Sequence, residues 1–138
     1  MSQAIYYAKN IKAATAGSNV VTVQFSGAAA YPDVRVAEYG GLDTVNPFDT
    51  TASASGSGAT ASSGNLTTSV ANDVIFGAGM TSSTFAGGTN GFTSRIITSP
   101  DGDIAGDKFV TTPGAYAATA GLVGGGSWIM QAVAFRAA

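Results

Sequence analysis

Between Asn19 and Ser26 the chain alternates, with Val21, Val23 and Phe25 on one side and Thr22, Gln24 and Ser26 on the other. A period of two marks a strand with one covered and one wet face. Similar short runs recur along the chain, each closed by Gly, Pro, Asn or Ser clusters, and helix signals are nearly absent. The pattern predicts an all-β, antiparallel β-sandwich of about nine strands. Strands are expected over residues 3–10, 19–26, 33–39, 73–80, 92–98, 103–112, 115–122 and 127–136. Residues 50–64 are almost entirely Thr, Ala, Ser and Gly, and they read as a polar edge strand in preference to a linker. Turns are expected at 16–19, 46–47, 87–88, 100–102, 113–114 and 124–126. The last strand is apolar on both faces, with Trp128, Met130, Ala132 and Ala134 against Ile129, Val133 and Phe135, which predicts a central position.

A length of 138 residues fits one domain, 1–138, and suffices for one sizeable core. Only 10% of residues are charged, so solubility must come from Thr, Ser, Asn and Gly, as on the surface of an exported protein. Residues 1–10 lack the basic start and apolar run of a signal peptide, and no apolar run approaches the ~20 residues of a spanning helix. Any export signal is expected upstream of Met1, and no membrane partner is expected. The net charge is −2 and the six Lys and Arg residues are scattered, which argues against nucleic acid.

Catalytic chemistry is narrowed by two absences. Without His or Cys there is no Ser-His or Cys-His nucleophile and no imidazole or thiolate zinc site. No nucleophile elbow or P-loop is present. Carboxylate pairs remain, and an Asp-based glycosidase is the weakest of three functional readings. The one acidic cluster is Asp101, Asp103 and Asp107. It reads either as a solvated Asp-Gly turn, with Asp107 paired to Lys108 or Arg95, or as an irregular site for a structural Ca²⁺. Ala105 and Thr112 at the fifth and twelfth positions exclude an EF-hand loop.

Sugar recognition would draw on aromatic rings beside turns: Tyr31, Phe48, Phe85, Phe92 and Tyr116. Taken singly, each also fits a core plug or an apolar lid, and Trp128 within an apolar strand reads as core. Arg35 and Glu38 fall on opposite faces of one strand, so Glu38 is expected to pair across strands, with Arg136 as the candidate. Asn65-Leu66-Thr67 matches a glycosylation sequon but reads as a strand start.

Five segments occur in order: Ile5-Tyr6-Tyr7-Ala8-Lys9-Asn10, Glu38-Tyr39-Gly40-Gly41-Leu42-Asp43 with Asn46-Pro47, Asn72-Asp73-Val74-Ile75-Phe76-Gly77, Gly91-Phe92-Thr93-Ser94-Arg95, and Trp128 to Arg136. Together they resemble a jelly-roll module of large exported bacterial proteins. The resemblance implies a jelly-roll-like sandwich at the cell surface or secreted, and it carries over no catalytic residues. Modules of this type begin with further strands, so the chain is expected to be truncated at its N-terminus, leaving sheet edges open to strand exchange. The leading functional expectation is a non-catalytic extracellular binding or adhesion module, with a polysaccharide or cell-surface component as candidate ligand. The alternative is a structural, self-assembling subunit, a homo-oligomer joined through exposed strand edges.

Overall fold

The computed structural model describes residues 1–138. It contains no helix and is an antiparallel all-β sandwich. The strands are β1 (Phe48–Ser62), β2 (Leu66–Thr67), β3 (Asp73–Thr81), β4 (Thr84–Thr89), β5 (Thr93–Ile97), β6 (Ile104–Val110), β7 (Ala115–Tyr116) and β8 (Thr119–Phe135). The main sheet runs in the order β1-β8-β3-β6-β5, with β4 also on β8, and β2 pairs with β7 alone.

The Thr/Ala/Ser/Gly stretch is the edge strand β1, paired only with β8. Small side chains suit it because alternate residues lie flat against a neighbour's face: a Cβ on Gly56 would stand 2.7 Å from the Trp128 ring. β8 is central, bonded to β1, β3 and β4. It joins two runs expected to be separate strands. Gly124 to Gly126 do not turn the chain; at φ of 69°, 76° and 154° they form an irregularity inside the strand, opposite the slip between Gly58 and Thr60 of β1. Gly87 and Gly88 likewise sit within β4. Glycine in these strands absorbs bends that a Cβ would resist, so a reading of glycine as a stop overcounts turns.

The principal core gathers Leu66, Ile75, Phe85, Phe92, Ile104, Val110, Leu122 and Met130 with Ala61, Ala118, Ala120, Ala132 and Ala134. A smaller cluster of Val74, Val133 and Phe135 lies on the opposite face of the sheet, where Ile5, Tyr39, Leu42 and Phe76 pack on it. Apolar residues on both faces of β3 and β8 thus meet two different covers, the rest of the sandwich on one side and the N-terminal third on the other.

That third departs from expectation. The segments 3–10, 19–26 and 33–39 belong to no strand ladder. Residues 1–40 make a single backbone–backbone hydrogen bond, Ser18 N–H to the Thr15 carbonyl. The alternation in their sequence is real, yet a ladder also needs a partner edge, and this chain provides none beside them. Only at Leu42, bridged to Ala137, does the chain enter backbone pairing.

Candidate functional site

The face of the sheet opposite the main core carries a row of polar anchors. Period two puts Gln131 of β8, and Asp103 and Asp107 beside or within β6, on that face together with Val74, Phe76, Val133 and Phe135. Gln3 donates to the Ala78 carbonyl at 2.9 Å and to Gln131 Oε1 at 3.2 Å. Arg35 donates through Nη1 to the carbonyls of Gly79 (2.7 Å) and Ile104 (2.5 Å), and through Nη2 to Gln3 Oε1 (3.1 Å). Its guanidinium also lies 3.5 Å from Asp33 and 3.9 Å from Asp103. Tyr39 donates its hydroxyl hydrogen to Asp107 Oδ2 at 2.7 Å, and Arg95 grips the same carboxylate with two bonds of 2.8 Å. The N-terminal third is therefore fastened by side chains, where a strand would be fastened by its backbone.

Electrostatics follow from these contacts. Burial pushes the Tyr39 phenol well above its ordinary range, and the Asp107 carboxylate adds to the effect. Burial alone would raise Asp107, but the hydrogen bonds from Arg95 and Tyr39 outweigh it and hold the carboxyl below its usual range. Asp103 goes the other way: burial raises it, and the Thr81 N–H (2.9 Å) and the more distant Arg35 only partly compensate.

A second polar cluster closes one end of the sandwich. A register slip between Phe48 and Thr50 leaves Asp49 out of the ladder. Its carboxylate accepts from the Ser69 N–H (2.7 Å), the Ser69 hydroxyl and Arg136 Nη2 (2.8 Å). Asp73, 1% exposed at the start of β3, has no donor on either oxygen. Burial, with Asp49 alongside, raises Asp73 to about 6, while Ser69 and Arg136 outweigh the cost of burying Asp49 and hold it at about 2. Below about pH 6 a proton held on Asp73 removes the uncompensated charge from this buried site beside Asp49.

A groove of about 280 Å³ lies between the N-terminal segment and the outer face of β1 and β8. Ile5, Tyr7, Phe48 and Val133 form its apolar part; Thr51, Ser53 and Gln131 supply hydroxyls and an amide. Tyr7 lies parallel to Phe48 at 6.5 Å and edge-on to Phe135 at 5.2 Å. An interior gap beside Phe92 and Ala118 holds about 10 Å³, the room of one water molecule.

The five aromatics singled out by sequence do not form one surface. Phe85 is 1% exposed and Phe92 8%, both in the core. Gly77 and Gly79 on β3 leave hollows under them: a Cβ at Gly79 would stand 2.7 Å from Phe85 Cζ, and one at Gly77 would meet Phe92 at 3.5 Å. Neither ring presents an open face for stacking. Tyr116 packs on the core rim, donates to the Thr112 carbonyl at 2.8 Å and carries Lys108 over its ring. Tyr31 is 88% exposed at φ +56° in the N-terminal third. Phe48 alone lines the groove, and its companion Tyr7 was not among the sequence candidates; the strand period placed Tyr7 on the same face as Ile5, which was the available signal.

Asp101, Asp103 and Asp107 are also dispersed. Asp101 stays on the turn, while Asp103 and Asp107 stand four residues apart with separate partners. No group of three or more carboxylates is assembled that could hold a metal ion. Asp107 takes Arg95, one of the two partners expected of it. Arg136 pairs with Asp49 and not with the exposed Glu38, because Asp49 bulges toward the end of β8 whereas Glu38 points to solvent. Trp128 is partly buried against the core, its indole N–H buried without an acceptor. Compared with known proteins, the chain matches no protein-family model, no curated protein and no solved structure.

Proposed function

We propose that this chain is a structural, self-assembling subunit, joined to further copies through the unpaired segments of its N-terminal third. One observation carries the reading: residues 1–40, which hold three segments patterned as strands, make one backbone hydrogen bond among themselves and with the sheet. Ordering an extended chain costs about 1–2 kcal/mol per residue, and strands normally recover that through ladders and burial. Here the recovery is partial. Tyr6, Val20, Val21, Val23, Phe25, Val34 and Val36 are all exposed. Both ends of the main sheet are open too, since β1 and β5 each have one neighbour. Free edges and apolar surface of this extent favour association. The low charge content adds little repulsion against it. The reading is non-catalytic, and a secreted or cell-surface setting suits the Thr/Ser/Gly-rich surface.

The test is solution mass by size exclusion with light scattering over a wide concentration range. Dimers or larger species that grow with concentration are expected. A monomer at every concentration overturns the reading.

The groove favours a second reading, carbohydrate binding, since Tyr7 and Phe48 offer apolar faces beside three hydrogen-bonding side chains. A glycan array, run with and without Ca²⁺, is expected to give binding that Phe48→Ala abolishes; an empty array removes this reading.

A further inference from the structure

We propose that residues 19–26 of one copy add as a further strand to the free edge of β1 in a second copy of this chain. The joint rests on the self-assembly reading and has two halves, an arm and an edge.

The edge is open. β1 has β8 on one side and no strand on the other, and from Thr50 to Gly58 its backbone bonds to no other part of the chain. An edge strand points a row of N–H and C=O groups outward, and folded proteins blunt such edges with Lys, Pro or an early bulge. Residues 50–62 contain no charge and no Pro, and the register with β8 is unbroken from Thr50 to Gly58, which leaves room for the whole of 19–26. Ser53, Ser55, Gly56, Ser57 and Gly58 are exposed.

The two rows of β1 differ. Ala52, Ala54 and Gly56 sit beside Ala132, Met130 and Trp128 on the core side, whereas Thr51, Ser53 and Ser55 sit beside Val133, Gln131 and Ile129 on the outer side. On the core side the apolar rim ends at Ala52 and Trp128, both only partly buried. A strand laid along this edge must be apolar toward that rim and polar toward the Ser row. It must also be uncharged on the rim side, since a charge there would lose its water without a partner.

The arm meets that description. Residues 13–32 contain no charged side chain, and Val21, Val23 and Phe25 alternate with Thr22, Gln24 and Ser26. Every residue from 19 to 26 is exposed, Phe25 at 50%, and none makes a backbone hydrogen bond. Docking sets the Val and Phe row against the Ala52–Trp128 rim, sets the polar row beside the serines, and gives two unpaired backbones a ladder. Within one copy no backbone bond joins the arm to β1, so each copy offers both halves. Arm and edge are different surfaces, and the contact is therefore heterologous: reciprocal donation closes at two copies, and one-way donation grows a chain of them.

The experiment combines light scattering with disulfide trapping on the full chain, which has no Cys of its own. Copies carrying Gln24→Cys are oxidised together with copies carrying Ser53→Cys, Ser55→Cys or Ser57→Cys, and, as the control, with copies carrying Thr93→Cys on the opposite edge strand β5; all five positions are exposed. The expected result is a disulfide between copies from position 24 to one of the three serine positions, at least about tenfold more abundant than the product at Thr93. Val21→Asp/Val23→Asp is expected to self-associate at least about tenfold more weakly than the wild type. A wild type that associates while trapping on β1 does not exceed trapping at Thr93 overturns this joint and leaves self-assembly standing, and so does an Asp variant that associates equally well. A monomer at all concentrations overturns both. A disulfide formed within single copies of Gln24→Cys/Ser55→Cys shows the arm closing its own edge and overturns the exchange. Should the Asp variant lose its Trp128 near-ultraviolet signal, the trapping decides alone.

Discussion

Arg35 Nη1 donates a 2.7 Å hydrogen bond to the carbonyl of Gly79, across 44 residues of sequence. The same guanidinium reaches the Ile104 carbonyl and the neighbourhood of Asp103, so a single side chain ties the N-terminal third to both β3 and β6. Arg35→Met keeps much of the aliphatic stem but strips these partners of their donor and leaves Asp103 without a cation. A loss of about 2–4 kcal/mol is expected, together with faster tryptic cleavage after Lys9 and Lys12. Urea unfolding and timed proteolysis measure the two effects, and unchanged values in both would mean that the segment is held by something other than Arg35.

The Asp49–Asp73 pair gives stability a pH dependence of unusual sign. Asp73 is raised in the folded state to about 6 from an ordinary 3.8, so its stabilising contribution is complete below about pH 4 and is lost as pH rises through 6. Asp49, held at about 2, contributes above pH 4 and loses its contribution only as pH falls through 2. Between pH 4 and 7 the Asp73 effect therefore dominates this site. Asp73→Asn keeps the shape and supplies a permanent donor for Asp49. It is expected to flatten the profile over that interval and to match or exceed the wild type at pH 7, by on the order of 1–2 kcal/mol. Denaturant midpoints at pH 4.5 and 7 decide it; a profile identical to wild type would show that Asp73 holds no proton over that interval.

Tyr39 and Asp107 form a second coupled pair, opposite in effect on the carboxylate. Tyr39→Phe removes one bond to Asp107 and leaves Arg95 in place, so a loss of about 1–2 kcal/mol is expected. In an ultraviolet titration the late phenol ionisation should disappear with the variant. If the late step persists, it belongs to another tyrosine.

Gly79 tests the packing of Phe85. A Cβ there would stand 2.7 Å from Phe85 Cζ and 2.9 Å from Met130 Cε, both deep in the core, so Gly79→Ala should cost about 1–3 kcal/mol by overpacking. Gly27 has nothing within 4 Å of a new Cβ, and Gly27→Ala is the control expected to leave unfolding unchanged. Equal effects at the two sites would mean that backbone entropy, and not the Phe85 contact, governs the loss.

The all-β class, the polar edge strand at 50–64 and the central place of the last strand were legible in the amino-acid order alone, because each rests on local periodicity and on which faces carry apolar groups. Strand boundaries at glycine were not. Gly124 to Gly126 signal a stop in sequence, but whether glycine turns a chain or lets a strand bend depends on the strands beside it. The candidate site was less legible still. Phe85 and Phe92 became core plugs because Gly77 and Gly79, on the neighbouring strand β3, leave hollows of the right depth. Asp103 and Asp107 found separate cations because Arg35 and Arg95 approach from different elements. Sequence by itself determined that residues 3–10, 19–26 and 33–39 alternate as strands do; tertiary structure alone decided that no edge within the chain meets them. Alternation is a property of one segment, whereas a ladder requires two edges brought within hydrogen-bonding distance.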